Sequence, residues 1–202
     1  MWTNLLNKNS TTATQSIRDW PGLPSDSVET KVPTKIAYPR DGSAPRWGFL
    51  CDNEEEYYEE ADLREHFKIY LDQDAIDGAH SRGVRDIPET VAETMILIAD
   101  YLTQIHQHIK FSIESATGSW KEKRVEFVFS LPTTWNSLDI TNNFNDAIRT
   151  AGFAAENPEK HSARIELTEA EAAAVYMAIS PPFVLERGDI VLICDAGGGT
   201  TE

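Results

Sequence analysis

Apolar residues at helical spacing predict a long helix in the middle of the chain. After Pro88, which favours a helix start, they recur at steps of three and four residues and so place one stripe against a core. The stripe is formed by Val91, Met95, Ile98, Leu102, Ile105 and Ile109. His106 and His108 point to different faces of this helix because they are two positions apart, which argues against a shared metal ion.

The next segment carries the pattern of a strand followed by a helix. Apolar and β-branched side chains alternate with polar ones over residues 125–131, and the pattern stops at Pro132. Asn136 or Ser137 can cap a helix that runs to about residue 151, where Gly152 supplies the stop.

The same alternation of strand and helix continues towards the end of the chain. Residues 164–167 predict a short strand, and Thr168 caps an Ala-rich helix over 169–179. The unbroken apolar run 190–194 is typical of a strand buried on both faces. This order of elements predicts an α/β fold.

The first third of the chain is less regular. Residues 1–33 are rich in polar residues and proline and predict an irregular arm, with an aromatic anchor at the turn 20–22. Strands are predicted over 35–38 and 47–50, and the segment 39–42 between them has the residues of a hairpin turn.

A run of five glutamates over 54–60 precedes apolar residues spaced as in a helix over 63–71. Carboxylates are favourable at a helix N-terminus, so a solvated helix start is the favoured interpretation of this run. A calcium or magnesium site is the alternative, but no loop of Asp, Asn and Gly with ligand spacing accompanies the glutamates.

Charge and cysteine content exclude several classes of protein. The 202 residues include 33 acidic and 18 basic ones, a formal net charge of −15, which argues against a nucleic-acid partner because such binding depends on clustered Lys and Arg. The longest apolar run near the end of the chain is far shorter than the roughly 20 residues of a membrane helix. Cys51 and Cys194 are expected to be reduced thiols, and we expect a cytoplasmic protein with no membrane partner.

The glycine-rich segment 195–202 is the part of the chain with recognisable chemistry. It reads Asp-Ala-Gly-Gly-Gly-Thr-Thr-Glu directly after the predicted strand 190–194. Three glycines let backbone N–H groups approach an anion closely, and two threonines add hydroxyl donors for phosphate oxygens. Asp195 at the strand end suits hydrated magnesium. A plain glycine hairpin is the structural alternative.

These motifs resemble the ATPase domain of the heat-shock-70 (DnaK-type) chaperones. Residues 195–200 resemble the second phosphate-binding loop of that family, and 169–174 resemble its Glu-Pro-Thr-Ala-Ala-Ala helix. The segment 129–136 resembles its Val-Pro-Ala-x-Phe-Asn segment. Short matches at 20–22, 32–34, 47–49 and 67–68 look like the divergent heat-shock-70-like proteins of fungi and their animal relatives. Ala170, Glu171 and Glu202 depart from the usual family residues, as that branch does.

The resemblance implies a nucleotide partner, ATP with Mg²⁺, and roles for particular residues. Glu169 would orient the water that attacks the γ-phosphate, Lys68 would reach that phosphate, and Asp195 would be the carboxylate on the magnesium side. The cradle for the phosphates would consist of Gly197, Gly198, Gly199, Thr200 and Thr201.

The resemblance further implies a ribonuclease-H-like, actin-like ATPase fold. We expect residues 34–202 to be an incomplete first lobe that ends in the second phosphate loop, after the arm 1–33. No first phosphate loop, second lobe or peptide-binding domain is recognisable, so we expect a fragment of an ATP-binding chaperone whose client and co-chaperone partners are unspecified and which is inactive alone. A non-catalytic interaction scaffold and a sugar- or acetate-kinase relative of the same fold are the alternatives.

Overall fold

The computed structural model has a mixed α/β architecture and divides into two compact units, residues 1–120 and 121–202. The residues that the structure describes are 4–5, 15–24, 26–52, 61–135, 137–179, 184 and 186–194. Within them, no helix combines the length and apolar character needed to cross a bilayer. The boundary at residue 33 stays a prediction.

The first unit contains a three-stranded antiparallel sheet. Its strands are β3 (Lys35–Pro39), β4 (Arg46–Trp47) and β5 (Ala61–Glu65), in the order β4-β3-β5, and a separate pair joins β1 (Asn4–Leu5) to β2 (Gln15–Ser16). The arm predicted as irregular therefore contains one short antiparallel pairing.

The predicted hairpin between β3 and β4 is present, but its second strand is shorter than expected. Ile36 pairs with Trp47, and the Gly42 amide donates to the Pro39 carbonyl at 3.2 Å to close the turn. Strand geometry ends at Trp47, and residues Gly48–Cys51 form a 3₁₀ helix. The prediction of a strand over 47–50 is thus wrong beyond Trp47.

The helix predicted over 63–71 is also wrong. Residues Ala61–Glu65 form β5, and a 3₁₀ helix follows over Phe67–Tyr70. β5 pairs with β3 along its whole length, and Lys35 forms ion pairs of 3.0 Å with Glu65 across the two strands and with Asp52. Strand pairing therefore outweighs the helical spacing of the apolar residues. The acidic run 54–60 before them lies outside the described residues.

Two helices complete the first unit, α1 (Gln73–Ser81) and α2 (Val91–Thr117). The predicted long helix is confirmed, with Thr90 as its cap. Its apolar face is fully buried at Leu102 and Ile105. Tyr38 of β3 donates a 2.7 Å hydrogen bond to Asp100 of α2 and so ties the sheet to this helix.

The second unit is a parallel strand pair joined by a helix. β6 (Val125–Leu131) and β7 (His161–Thr168) run parallel, with α3 (Leu138–Thr150) between them in the chain and α4 (Glu169–Ile179) directly after β7. These four elements match the predicted order, although β7 is longer than expected.

Aromatic rings form the core of the second unit. The Phe129 ring of β6 lies 6.0 Å from Phe144 of α3 and 5.1 Å from Phe153, both in edge-to-face geometry. On the opposite face of the strand pair, beside the exposed Val128, Arg164 forms ion pairs with Glu126 at 3.0 Å and Glu166 at 2.7 Å.

The buried strand predicted over 190–194 is wrong. This segment adopts no strand geometry, and Ile190 and Leu192 are 98% and 92% exposed. A continuous apolar run gives strand propensity, but burial on both faces also needs neighbouring elements, and the segment stays exposed. Both cysteines are free thiols, as predicted; burial raises the pKa of Cys51 to about 11, whereas Cys194 is exposed.

Candidate functional site

The carboxyl-terminal edge of the β6–β7 pair is the candidate functional site. Leu131 and Thr168 pair in register at the ends of the two strands, so both strands finish at the same edge. The helices α3 and α4 follow these strand ends and therefore start close to that edge. In open α/β sheets, ligands bind outside the carboxyl ends of parallel strands.

The start of α4 is held by two reciprocal hydrogen bonds. The Glu171 amide donates to the Thr168 hydroxyl at 3.1 Å, and the Thr168 amide donates to the Glu171 carboxylate at 2.8 Å. This capping box satisfies backbone donors that would otherwise lack partners. Hydrogen bonds from the Thr168 amide and hydroxyl hold the pKa of Glu171 below its ordinary value.

Glu169 occupies the first position of α4, where it was expected, and its side chain is partly buried. The strand leading to it contains a bulge. Phe129 pairs with Ile165 and Ser130 with Leu167, so Glu166 is an additional residue in β7. Bulges redirect the end of a strand and are common next to functional sites.

The loop after β6 is fixed by its own packing. The Trp135 amide donates to the Pro132 carbonyl at 3.0 Å, and the Trp135 ring lies 5.6 Å from Phe144. Between these buried anchors, Thr133 and Thr134 are exposed. Two side chains with hydroxyl groups, which can donate to phosphate oxygens, therefore lie next to the end of β6.

The α3 start resembles that of α4 in its charge. Ser137 caps α3, as predicted, by accepting a hydrogen bond of 3.2 Å from the Asp139 amide. Asp139 lies in the first turn of α3, and Glu169 and Glu171 lie in the first turn of α4. The edge is thus acidic, which favours a cation or a cation-bound anion over a free anion.

Lys68 lies in the first unit, whereas Glu169 lies in the second. Lys68 is partly buried within the 3₁₀ helix Phe67–Tyr70, whose first and last residues are buried. His66 before it has a left-handed backbone with φ of 54°, which turns the chain out of β5. The role of Lys68 stays a prediction.

The predicted phosphate cradle lies outside the described residues. This applies to Asp195, Gly197, Gly198, Gly199, Thr200 and Thr201. Across the described part of the chain, no group of three or more His, Cys, Asp or Glu side chains is arranged to hold a metal ion.

The capping contacts of Glu171 and Asp139 at this edge were not predicted from the sequence. The pattern of Thr168 followed three residues later by Glu171 is the sequence signature of a capping box and could have identified the first of them. That α3 and α4 both start beyond the same edge follows from the parallel pairing of β6 and β7, which a single sequence does not state.

The chain matches no family model, and no curated protein or solved structure is significantly similar to it.

Proposed function

We propose that this chain is part of the first lobe of a heat-shock-70-like ATPase domain with the actin-like fold. In a complete two-lobe parent, that domain binds and hydrolyses ATP with Mg²⁺. In this proposal the carboxyl-terminal edge of the β6–β7 pair faces the nucleotide, and the glycine-rich segment 195–202 contributes the phosphate cradle.

The observation that carries the proposal is the position of Glu169. It directly follows β7, at the edge where β6 also ends and where α3 and α4 begin. A carboxylate at such an edge can orient a water molecule towards a phosphate held there, and phosphoryl transfer depends chiefly on this kind of positioning.

The other proposed roles rest on the resemblance of the motifs. Asp195 would hold the magnesium-side contact, the glycines 197–199 with Thr200 and Thr201 would donate to phosphate oxygens, and Lys68 would reach the γ-phosphate. Bound Mg²⁺ would neutralise charge on the phosphates. The Glu169 carboxylate can accept a hydrogen bond from water or bind a cation, and the hydroxyl groups of Thr133 and Thr134 can donate to phosphate oxygens.

The acidic side chains at the edge restrict the charge of a ligand that can bind there. Asp139, Glu169 and Glu171 would repel a free polyphosphate, so the nucleotide should bind as its magnesium complex. In the complete parent, Glu169→Gln should slow hydrolysis more than it weakens binding, because the lost contact belongs to the transition state.

The test is an amide NMR titration of this chain with ATP, with and without Mg²⁺. We expect Mg-ATP to shift signals of residues 168–171 and 197–201, and ATP with a chelator to leave them unchanged. Glu169→Gln should alter these shifts. Glu126→Gln is the matched control, because Glu126 lies near the opposite end of β6. Because we expect this chain to hold only part of the site, the binding should be weak and without ATP hydrolysis; absence of localised shifts even at high Mg-ATP concentration would contradict the proposal.

A non-catalytic interaction scaffold is the second candidate, favoured by apolar exposure on α4. Val175, Tyr176 and Met177 are 52%, 62% and 40% exposed there. Several exposed apolar side chains at consecutive positions are a feature of protein-binding surfaces. The same titration distinguishes the two functions, since the scaffold requires no nucleotide.

A further inference from the structure

The arm segment 17–24 packs on the first unit through two buried apolar side chains. Ile17 is 6% exposed and Trp20 is 4% exposed. The Trp20 indole N–H donates to the Glu29 carbonyl at 3.1 Å, and the Leu23 amide donates to the Trp20 carbonyl at 3.3 Å. The segment therefore has a defined position on the unit.

His108 of α2 lies against this segment. Its ring centroid is 5.2 Å from that of Trp20 and 6.0 Å from that of Trp47, and the two indole rings contact each other at 6.3 Å. The His108 side chain is only 9% exposed. An imidazole thus forms part of the apolar surface that holds the arm.

Few neighbouring groups could stabilise a positive charge on the His108 ring. Within the described residues, Nε2 is buried without a hydrogen-bond partner, and the Asp19 carboxylate lies 3.9 Å away with its own side chain 73% exposed. Solvent screens so exposed a carboxylate, which limits its ability to stabilise an imidazolium.

Among the described residues, Asp19 is the charged side chain whose interaction affects the pKa of His108. From β4, Trp47 contacts the ring, whereas Arg46 belongs to the opposite face of the strand because successive side chains alternate. On α2 itself, the residues three or four positions away carry no charge; they are Gln104, Ile105, Phe111 and Ser112.

We propose that His108 is an acid-sensitive contact that couples the docking of residues 17–24 on α2 to pH. The neutral imidazole packs against both indole rings, and the imidazolium is poorly accommodated there because it would lose hydration. Protonation of His108 therefore weakens the packing of the Trp20 ring against α2.

The direction of the effect follows from the burial of the group. Burial lowers the pKa of His108 below its ordinary value of 6.5, and Asp19 opposes this only in part. A lowered pKa means that the docked arm disfavours the proton. Docking is then complete above about pH 6.5 and weakens as the pH falls through the lowered pKa.

The test follows two NMR signals in the intact chain between about pH 5 and 8. The His108 imidazole signals report its protonation, and the Trp20 indole N–H signal reports the arm. We expect one shared midpoint below 6.5, and no Trp20 transition in His108→Gln. His106→Gln is the control: it removes a second buried histidine of α2 and should leave the transition unchanged.

Asp19→Asn provides a second, independent test, since the Asp19 side chain is exposed and can be changed without loss of folding. Removing this carboxylate should move the His108 and Trp20 midpoints together to lower pH, because Asp19 favours the imidazolium. The proposal is overturned if His108 titrates at or above 6.5, if its titration leaves Trp20 unchanged, or if the Trp20 transition persists in His108→Gln.

Discussion

Thr168 and Glu171 cap α4 reciprocally, each accepting a hydrogen bond from the backbone amide of the other at 3.1 and 2.8 Å. These hydrogen bonds cap the first turn of α4, which begins at Glu169 directly after β7. In the proposed resemblance to the heat-shock-70 motif, Glu171 stands at a threonine position, and these hydrogen bonds would give that difference a structural role.

Loss of the Thr168 cap should destabilise the second unit. Thr168→Ala removes the hydroxyl acceptor of the Glu171 amide and should cost about 1 kcal/mol of unfolding free energy. Thr168→Ser retains the hydroxyl and serves as the matched control. Urea denaturation, together with hydrogen exchange of the first-turn amides of α4, measures the difference. Equal stability of the two variants would mean that the cap contributes nothing.

Ionisation of Glu171 should stabilise the folded chain. Its pKa is lowered by hydrogen bonds from the Thr168 amide and then the Thr168 hydroxyl, so this contribution is present above the ordinary value of 4.5 and is lost as the pH falls through the lowered pKa. A carboxyl-carbon NMR titration measures it directly. Thr168→Val removes only the hydroxyl and should return the Glu171 pKa part of the way; an unchanged titration would contradict the assignment.

Gly22→Ala should be much more harmful than Gly42→Ala, although both glycines have positive φ, 88° and 77°. A Cβ at residue 22 would lie 2.6 Å from the Leu50 amide nitrogen, whereas one at residue 42 would meet nothing within 4 Å. Both variants carry backbone strain of roughly 1–2 kcal/mol. The clash should add about 1–3 kcal/mol at residue 22 alone. Equal midpoints in thermal unfolding would rule out the close approach.

The Tyr38–Asp100 hydrogen bond should contribute measurably to the first unit. A double-mutant cycle of Tyr38→Phe and Asp100→Asn should give a coupling energy of about 1 kcal/mol in denaturant unfolding. Burial, and then the hydrogen bond to Asp100, raise the pKa of Tyr38 above its ordinary value of 10.0. The bond should therefore stabilise the unit below pH 10.0 and lose its effect as the pH rises through the raised pKa. A coupling energy near zero at neutral pH would show that the bond does not contribute to stability.

Local sequence determined the helices α2, α3 and α4, whereas α1 was not predicted. The apolar period of α2, the Ser137 cap of α3 and the Thr168 cap of α4 are short-range features, because a helix satisfies its backbone within itself and its caps lie within a few residues. The same local signals placed Glu169 at a helix start, so that part of the candidate site was predictable. The hairpin turn between β3 and β4 was predictable for the same reason.

Tertiary structure decided the segments whose backbone partners lie far along the chain. Residues 61–65 pair with β3, which made a strand of a segment with helical spacing, and residues 190–194 remain exposed despite a strand-like sequence. Parallel pairing of β6 and β7 brought the starts of α3 and α4 to one acidic edge. Folding likewise placed His108 against Trp20, although 88 positions separate them in the chain. Hydrophobic spacing reports what a segment can bury, whereas partners distant in sequence decide what it does bury.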